Sequence, residues 1–351
     1  MRKKRSKVLI LYLGGTFGMD ADPLTIPRLN PQRLRRRLVD RVPELERLAD
    51  CQVQIQMNRD SAHLDPVDWA NLAKVISEQW DRFDGIVVLH GTDTLAYTAS
   101  ALSFLLRPCK KPVILTGAQR PLAAIRSDAR RNLISAVELA ARGAAEQAPQ
   151  VSVFFNDLLF QGNRVRKRSA VDFAGFESPK APVLARVGAS IHVLASGSAG
   201  ASRSIKSKLK RPKPAPRLRP CFSSRVLMVH LTPGFPAEAL MPLLSDLDGL
   251  LLVAFPSGTA PTHQEAFRKL LSAARARGLP VMVVTEGAGV TGNEYQAGKA
   301  LLDEGCLWSG TMTPECAYVK ASWLLGQPRG AEILKAWWNV EFADEGVSQG
   351  R

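Results

Sequence analysis

Two threonines flank an aspartate in the stretch HGTDT (90–94), at the end of a short apolar run. A helical pattern of apolar residues begins at Leu95, so the polar residues occupy a strand-to-helix turn. We expect Thr94 to cap this helix, which leaves Thr92 and Asp93 available for chemistry. A helix N-terminus keeps a nearby carboxylate ionised, and a threonine hydroxyl becomes a nucleophile when a base takes its proton.

A second candidate nucleophile stands in a glycine-rich turn after the first apolar run, in LGGTFGM (13–19). The glycine pair lets the backbone turn sharply and leaves the hydroxyl of Thr16 free, although capping of the turn explains this threonine equally well. The stretch is neither a dinucleotide-binding nor a phosphate-binding loop, because it lacks their glycine spacing and their lysine. A third turn with polar residues, TGAQRPL (116–122), follows another apolar run.

Histidine is the residue that usually supplies the base for such a hydroxyl. The five histidines lie outside any triad-like pattern, and His90, at the end of an apolar strand, is expected to be a hydrogen-bonded core residue. The remaining candidate is Lys167, in the stretch GNRVRKRSAVDF (162–173). Its neighbours Arg166 and Arg168 favour its neutral form by like-charge repulsion. An ordinary exposed basic loop is the simpler interpretation of that segment.

Short apolar runs alternate with helical periodicity along the chain, which predicts a mostly parallel, doubly wound α/β sheet. The predicted strands are residues 8–13, 85–90, 112–117, 151–155, 225–231, 249–255 and 280–284. Asp65 marks the start of one helix. Thr262 and Glu265 predict a capping box for another, which ends at Gly278. Ligands bind at the carboxyl ends of parallel strands, so we expect the three polar turns to share one edge of the sheet.

The net charge of +15 is concentrated in two segments that contain no acid. Residues 1–7 carry five basic side chains and residues 202–220 carry eight, which leaves the rest of the chain at +2. We interpret the second segment as part of a basic, Pro- and Ser-rich linker and do not expect nucleic-acid binding. The predicted domains are therefore an N-terminal catalytic α/β domain (1–195), the linker (196–222) and a smaller C-terminal α/β domain (223–351).

Cysteine usage and hydropathy indicate where the protein works. The five cysteines are widely spaced, with no C-x-x-C pair, which argues against a disulfide framework or a zinc site and indicates a reducing cytoplasm. The longest apolar runs are too short to span a bilayer. The basic start and the short apolar run behind it lack a small-residue cleavage site, so we interpret them as a tail leading into the first strand.

The three polar turns, together with RDSAHLDPVDW (59–69) and QGNRVRK (161–167), resemble the motifs of bacterial-type L-asparaginases, specifically of the cytoplasmic type I branch. The resemblance runs from about Val8 to about Trp338 and is weakest in the basic linker. It implies hydrolysis of the side-chain amide of L-asparagine to L-aspartate and ammonia, with no metal or cofactor. It also implies a homodimer or homotetramer with active sites at subunit interfaces.

By this resemblance, Thr16 is the nucleophile that forms an acyl-enzyme, which water then hydrolyses. Thr92, Asp93 and Lys167 form a second catalytic group, in which the neutral lysine pairs with the threonine hydroxyl and the aspartate binds the substrate ammonium. Backbone N–H groups at the turns stabilise the oxyanion. The substrate-binding positions of the family correspond here to Asp60, Ser61, Gly91, Thr92, Asp93, Ala118 and, from a neighbouring subunit, Glu315.

The sequence departs from the family pattern in three ways. Thr25 stands where the family has a tyrosine in its mobile loop, and Tyr295 matches a tyrosine of the smaller domain that some relatives use instead. Thr259 replaces an asparagine contributed across the subunit interface, and His63 replaces an acid. Because the nucleophile and its partners are intact, we expect activity, with Tyr295 as a further catalytic residue.

Two other functions share these motifs. A glutaminase subunit of a tRNA-dependent amidotransferase would use the basic linker to contact RNA. Such relatives carry an additional N-terminal domain, whereas the first strand here begins at Val8, so we expect an asparaginase. A non-enzymatic amino-acid-binding protein would keep the site without turnover, and release of ammonia separates an enzyme from such a protein.

Overall fold

The computed structural model describes residues 5–21, 24–25, 31–142, 150–194, 218–287 and 295–346. The chain forms two compact units, Met1–Ala201 and Ser202–Arg351, and both are α/β structures, as predicted. Of the predicted linker (196–222), only residues 218–222 belong to the described part of the chain. The character of this segment therefore stays a prediction.

The first unit is built on an eight-stranded sheet whose central strands are parallel. In chain order the strands of this unit are β1 (Lys7–Gly14), β2 (Asp20–Ala21), β3 (Leu24–Thr25), β4 (Asp50–Arg59), β5 (Gly85–Leu89), β6 (Val113–Thr116), β7 (Val151–Phe155), β8 (Leu158–Gln161), β9 (Arg166–Lys167), β10 (Phe176–Glu177), β11 (Ala185–Val187) and β12 (Ile191–Val193). The sheet has the order β12-β11-β8-β7-β6-β5-β1-β4, with antiparallel pairing from β7 to β12. Two separate antiparallel pairs are formed by β2 with β3 and by β9 with β10.

Helices cover both faces of this sheet. They are α1 (Pro31–Arg41), α2 (Leu45–Leu48), α3 (Pro66–Ser77), α4 (Leu95–Leu105) and α5 (Ala129–Ala141). On one face, α1, α2 and α5 pack against Ile10 and Tyr12 of β1, and on the other α3 and α4 pack against Leu9 and Leu11. Because both faces are buried, the central strands are continuous apolar runs.

Strand β4 is not among the strands predicted from apolar runs. It lies at the edge of the sheet, beside β1. Its residues QVQIQM (52–57) alternate polar and apolar side chains, and most of them are partly exposed. Alternation of this kind is typical of a half-buried edge strand and is the signal that could have identified it. The short antiparallel strands β8, β11 and β12 are also missing from the prediction.

The second unit contains a four-stranded parallel sheet in the order β13-β14-β15-β16. Its strands are β13 (Val226–His230), β14 (Gly249–Ala254), β15 (Val281–Thr285) and β16 (Leu307–Trp308). Its helices are α6 (Glu265–Ala276), α7 (Gln296–Asp303), α8 (Pro314–Leu325) and α9 (Gly330–Trp337), with a 3₁₀ helix at Ala237–Ser245. All seven strands predicted from apolar runs are present, within one residue at each end.

The predicted start of α3 is confirmed. The Asp65 carboxylate accepts hydrogen bonds from the N–H groups of Val67 and Asp68, and the Asp68 carboxylate accepts from the N–H of Asp65. This reciprocal pair is a capping box, with Pro66 at the first helical position. The local sequence is sufficient here because donors and acceptors lie within four residues of one another.

The capping box predicted from Thr262 and Glu265 is wrong. Helix α6 begins at Glu265 with Gln264 as its N-cap, and no side chain caps it. The N–H of Thr262 donates to the carbonyl oxygen of Ala260 in a tight turn, which places this threonine before the N-cap, where it cannot form the box. The helix ends as predicted, because Gly278 adopts a φ of 70°.

A buried ion pair ties the C-terminal segment of the second unit to α8. Lys320 Nζ donates to Glu345 Oε1 at 2.6 Å and to the carbonyl oxygen of Val340 at 2.9 Å, and neither charged side chain is exposed. The carboxylate also accepts from the N–H groups of Phe342 and Ala343. Burial alone raises the pKa of Glu345, but the charge and hydrogen bonds of Lys320 hold it below its usual value.

We expect Glu345→Gln to lower the free energy of unfolding by about 3–5 kcal/mol, because it leaves the ammonium of Lys320 buried without its counter-ion. The native state keeps this carboxylate ionised more firmly than the unfolded chain does, so its contribution is complete above about pH 4.5 and is lost as the pH falls below that value. Urea denaturation at a series of pH values measures both effects.

The exposed pair of Glu332 and Arg329 provides the control, and Glu332→Gln should leave the denaturation midpoint nearly unchanged. The double variant Lys320→Met/Glu345→Gln should lose less stability in acid than the wild type. Equal destabilisation by Glu345→Gln and Glu332→Gln would contradict the importance of the buried pair.

Candidate active site

The carboxyl ends of β4, β1 and β5 contact one another through backbone atoms, at positions occupied by glycine. The N–H of Gly15 donates to the carbonyl oxygen of Arg59 at 3.0 Å. A Cβ atom on Gly14 would overlap that same carbonyl oxygen, and one on Gly15 would overlap Gly91 Cα. Gly14 and Gly15 also have φ angles of 119° and 77°, which other residues disfavour. Only glycine fits this turn.

The same close packing links the neighbouring turns. A Cβ atom on Gly91 would lie 2.7 Å from both Cβ and Oγ of Ser61, and one on Gly117 would overlap the carbonyl oxygen of His90. The N–H of His90 donates to the carbonyl oxygen of Thr116 at 2.9 Å. The three polar turns therefore share one edge of the sheet, as predicted, together with the turn after β4.

Thr16 begins a 3₁₀ turn (Thr16–Gly18) directly after the glycine pair. Its carbonyl oxygen accepts from the N–H of Met19, and the buried ring of Phe17 anchors the turn in the core. The N–H of Leu122 donates to the carbonyl oxygen of Phe17 at 3.1 Å, which joins the first polar turn to the third. Within the described part of the chain, the Thr16 hydroxyl has no hydrogen-bond partner and does not cap the turn.

Lys167 reaches both candidate residues of the second turn. Its Nζ donates to Thr92 Oγ1 and to Asp93 Oδ1, each at 2.7 Å. Thr92 is buried, whereas 65% of the Asp93 side chain is exposed. The lysine amine thus lies beside the exposed carboxylate, and Arg168, one of its two basic neighbours, is exposed to solvent. The neutral form of Lys167 stays a prediction. The three residues form one cluster, and their catalytic roles stay predictions.

Thr94 does not cap α4 with its side chain, contrary to the prediction. Its hydroxyl donates instead to the carbonyl oxygen of Ser61 at 2.8 Å. Its own carbonyl oxygen accepts from the N–H of Thr98, as the N-cap position requires. The close approach of Gly91 to Ser61 brings the two turns together, and the hydroxyl then joins them.

The predicted substrate-binding residues of the first unit lie on these same turns. Asp60 and Ser61 follow β4 at the start of a 3₁₀ turn (Ser61–His63). The Asp60 carboxylate accepts from the N–H of Ala62 at 2.9 Å, and Ser61 is buried. Ala118 follows β6 and is likewise buried. Within the described part of the first unit, the predicted site residues therefore stand on these turns, apart from Lys167, which reaches them from β9.

His90 is a buried core residue, as predicted. Its Nδ1 lies 2.6 Å from the carbonyl oxygen of Gly91 and therefore carries the proton, since a carbonyl oxygen only accepts. Nε2 then accepts from the hydroxyl of Thr98 at 2.9 Å. Burial lowers the pKa of His90 to about 4, so the ring is neutral near pH 7 and acts as a fixed hydrogen-bonding unit below the second turn.

The chemistry available at this edge is that of a threonine hydroxyl with an amine and a carboxylate beside it. Across the described ranges, no group of histidine, cysteine or acidic side chains could hold a metal ion. None of the helices that the structure describes is long and apolar enough to cross a bilayer. The five cysteines are free thiols.

Two family models match the chain. Asparaginase, N-terminal, matches residues 7–198, and Glutaminase/Asparaginase C-terminal domain matches residues 225–338. The L-asparaginase 1 of Escherichia coli (strain K12) is 34% identical over 348 residues, which cover 95% of this chain and 96% of that protein. The chain belongs to the asparaginase family.

Two further comparisons show which other proteins this asparaginase-family chain is similar to. The solved structure of L-asparaginase I from Vibrio cholerae O1 biovar eltor matches it with a TM-score of 0.82 and 32% identity, over 98% of this chain and 100% of that one. A subunit of the Glutamyl-tRNA(Gln) amidotransferase of Thermoplasma acidophilum is 30% identical over 277 residues, which cover 77% of this chain and 64% of that protein. The resemblance to the type I branch, predicted from five motifs, is confirmed.

Two predicted site residues of this asparaginase-family chain lie in the second unit. Tyr295 is the N-cap residue of α7, and 51% of it is exposed. Glu315 lies in the first turn of α8, after Thr313, whose hydroxyl caps the helix by accepting from the N–H of Cys316. Both are described within their own unit, and their roles stay predictions.

The three positions that depart from the family pattern lie in a short strand and in two turns. The backbone of Thr25 lies in β3, while its side chain is outside the described part. His63 is exposed on its 3₁₀ turn. The carbonyl oxygen of Thr259 accepts from the N–H of Phe255 and closes a turn after β14.

The residues that hold the third polar turn of this asparaginase-family chain are absent from the sequence predictions. Asp128, at the start of α5, accepts from the N–H groups of Gln119 and Arg120. Asn132 donates to the carbonyl oxygen of Gly117 and to Asp128. The sequence does contain a signal for these two residues, because Asp128 and Asn132 are short polar residues four positions apart on the apolar face of a helix.

We expect Gly91→Ala to lower the free energy of unfolding by about 1–3 kcal/mol, because its Cβ would press on the buried Ser61. Gly188→Ala is the matched control, since a Cβ there would meet only the carbonyl oxygen of Ser190, at 4.0 Å. Urea denaturation of both variants at neutral pH gives the comparison. Equal free energies of unfolding would show that the strand ends can move apart.

Proposed function

We propose that the protein is an L-asparaginase, which hydrolyses the side-chain amide of L-asparagine to L-aspartate and ammonia. The observation that carries the proposal is the hydrogen-bonded cluster of Thr92, Asp93 and Lys167, on a turn that contacts the glycine turn of Thr16. Family membership supports the same reaction, since relatives of matching length are named L-asparaginases.

Thr16 supplies the nucleophile in this proposal. Its hydroxyl oxygen attacks the side-chain amide carbon, the amide nitrogen gains a proton and leaves as ammonia, and a threonine ester of the substrate remains. Water then attacks the ester, which releases L-aspartate and restores the hydroxyl. The support is that Thr16 is partly exposed and that its hydroxyl is not used to cap its turn. By the family resemblance, backbone N–H groups at these turns would stabilise the oxyanion.

Asp93 and Lys167 connect substrate binding to proton transfer. The exposed carboxylate of Asp93 can receive the α-ammonium of the substrate, which then competes with the lysine for the same oxygen atoms. In its neutral form, Lys167 takes the proton that the Thr16 hydroxyl loses, through the hydroxyl of Thr92 with which it already shares a hydrogen bond, and the proton passes on to the amide nitrogen that leaves as ammonia. The ion pair holds the base in place until substrate arrives.

The remaining substrate contacts are assigned by family position. Asp60, Ser61 and Gly91 would hold the amino-acid part of the substrate, and Ala118 would lie near the scissile amide. Their support is that all four stand on strand-end turns that contact one another.

We further propose a cytoplasmic homodimer or homotetramer in which Glu315 contacts the substrate bound to a neighbouring copy. The free thiols of all five cysteines support a reducing compartment. The proposed reaction needs no metal or organic cofactor, because threonine supplies the nucleophile and water supplies the second oxygen.

A glutaminase subunit of a tRNA-dependent amidotransferase is the second candidate. It is favoured by the similarity to the Thermoplasma acidophilum amidotransferase and by the eight basic side chains of residues 202–220. It is the weaker candidate because that match covers less of both chains than the match to L-asparaginase 1 does.

The purified protein should release ammonia from L-asparagine with a higher kcat/KM than from L-glutamine, and EDTA should leave the rate unchanged. Thr16→Ala should lower kcat by about 10³-fold or more, because the nucleophile is lost. Steady-state ammonia release from both amides tests these expectations. A preference for glutamine would favour the amidotransferase function, and asparagine binding without ammonia release would indicate a binding protein.

Tyr295→Phe and Thr25→Ala decide which residue replaces the missing loop tyrosine. If Tyr295 supplies the hydroxyl, its loss should lower kcat by about 10²-fold, whereas Thr25→Ala should have little effect because threonine is shorter than tyrosine. The kcat of each variant with asparagine is the measurement. An inactive Thr25→Ala beside a nearly normal Tyr295→Phe would assign the role to the loop threonine. If both variants kept a kcat close to that of the wild type, Thr16 would be activated by Thr92 and Lys167 alone.

A further inference from the structure

The side chain of Gln119 joins the third polar turn to the hairpin that carries Lys167. Its Nε2 donates to the carbonyl oxygens of Ser169 and Asp172, each at 2.9 Å. A side-chain amide nitrogen has two hydrogens, so both donors of Gln119 are used by this one loop. The loop follows Lys167 directly, because that lysine is the last residue of β9.

The backbone of Gln119 is itself firmly held. Its N–H donates to both carboxylate oxygens of Asp128, at 3.0 and 3.1 Å. Asp128 is buried and also accepts from Asn132, which donates to the carbonyl oxygen of Gly117 as well. The turn is therefore bound to the start of α5, and the side chain of Gln119 extends from a fixed base.

The hairpin of β9 and β10 needs such an anchor, because its strands pair over two residues each. A two-stranded hairpin of this kind is marginally stable by itself in water. Phe176 anchors the return strand, since it is buried with its ring centroid 4.8 Å from that of Phe155. At the tip, Val171 and Phe173 are exposed. Apolar packing thus anchors β10, whereas the loop between β9 and β10 is held by polar contacts.

Gly175 leaves the space that the Gln119 amide occupies. A Cβ atom on Gly175 would lie 2.7 Å from Gln119 Nε2 and 3.2 Å from its Cδ. The φ angle of Gly175 is not among the positive ones, so space rather than backbone conformation requires glycine here. Its carbonyl oxygen accepts from the N–H groups of Arg168 and Ser169, which closes the same loop.

We infer that Gln119 is a positioning residue for the reaction. By holding two carbonyl groups of the hairpin loop, it keeps Lys167 Nζ at hydrogen-bond distance from Thr92 and Asp93. Its catalytic consequence rests on the proposed asparaginase function, whereas its structural consequence rests on the hairpin contacts alone. Without the amide donors, the loop carbonyls bond to water and the amine spends less time in the geometry that transfers a proton.

Gln119→Met tests this role, because it keeps the length of the side chain and removes both donors. We expect it to lower kcat for asparagine by about 10²-fold, with KM within about threefold of the wild type. Without substrate, hydrogen–deuterium exchange in residues 168–175 should become faster. Arg120→Met is the matched control on the same turn, since the side chain of Arg120 is exposed and its N–H still donates to Asp128.

Gly175→Ala supplies an independent check, because it displaces the amide of Gln119 without changing its chemistry. By itself it should lower kcat, and in the Gln119→Met background it should add little further loss. Losses that add fully would show that Gly175 does not act through Gln119.

An unchanged kcat, or unchanged exchange of the hairpin, in Gln119→Met would overturn the inference. So would an equal fall of kcat in Arg120→Met, which would indicate general damage to the turn. If the wild type releases no ammonia from asparagine, the proposed function fails, while exchange of the hairpin still decides whether Gln119 holds it.

Discussion

Close packing of backbone against backbone at the carboxyl edge of the first sheet is the constraint on which the site depends. Gly14, Gly15, Gly91 and Gly117 stand where a Cβ atom would overlap or crowd a neighbouring strand end. Because the strand ends touch, residues that are distant in the sequence share one small surface. A surface assembled in this way is held in place by the sheet itself, and fixed geometry of this kind is what the proposed reaction requires.

The three polar residues that follow β5 have two partners between them, Lys167 and Ser61. Thr92 contacts the amine of Lys167, Asp93 offers an exposed carboxylate beside it, and Thr94 bonds to the carbonyl oxygen of Ser61. A helix cap alone would need one of them. The other contacts exist because β9 and the end of β4 come to the same edge as β5. Strand β9 supplies the partner of Thr92 and Asp93, and the end of β4 supplies the partner of Thr94.

Buried polar groups hold the loops of both units. His90 supports the second polar turn, Asp128 and Asn132 support the third, and Lys320 with Glu345 supports the C-terminal segment. In each case hydrogen bonds offset the loss of hydration, and removal of one partner leaves the other buried and unpaired. The loops around the site are therefore more sensitive to loss of a single polar partner than to changes at their exposed side chains.

The sequence by itself determined the central strands, the start of α3, the order of the polar turns and the family. These features are local, because an apolar run buried on both faces and a cap within four residues are written in neighbouring positions. The tertiary structure alone decided that Thr94 bonds to Ser61, that Lys167 pairs with a carboxylate and that Gln119 holds the hairpin. Each of these contacts depends on which strand ends lie side by side, and that order is set by the packing of the whole sheet rather than by any short stretch of the chain.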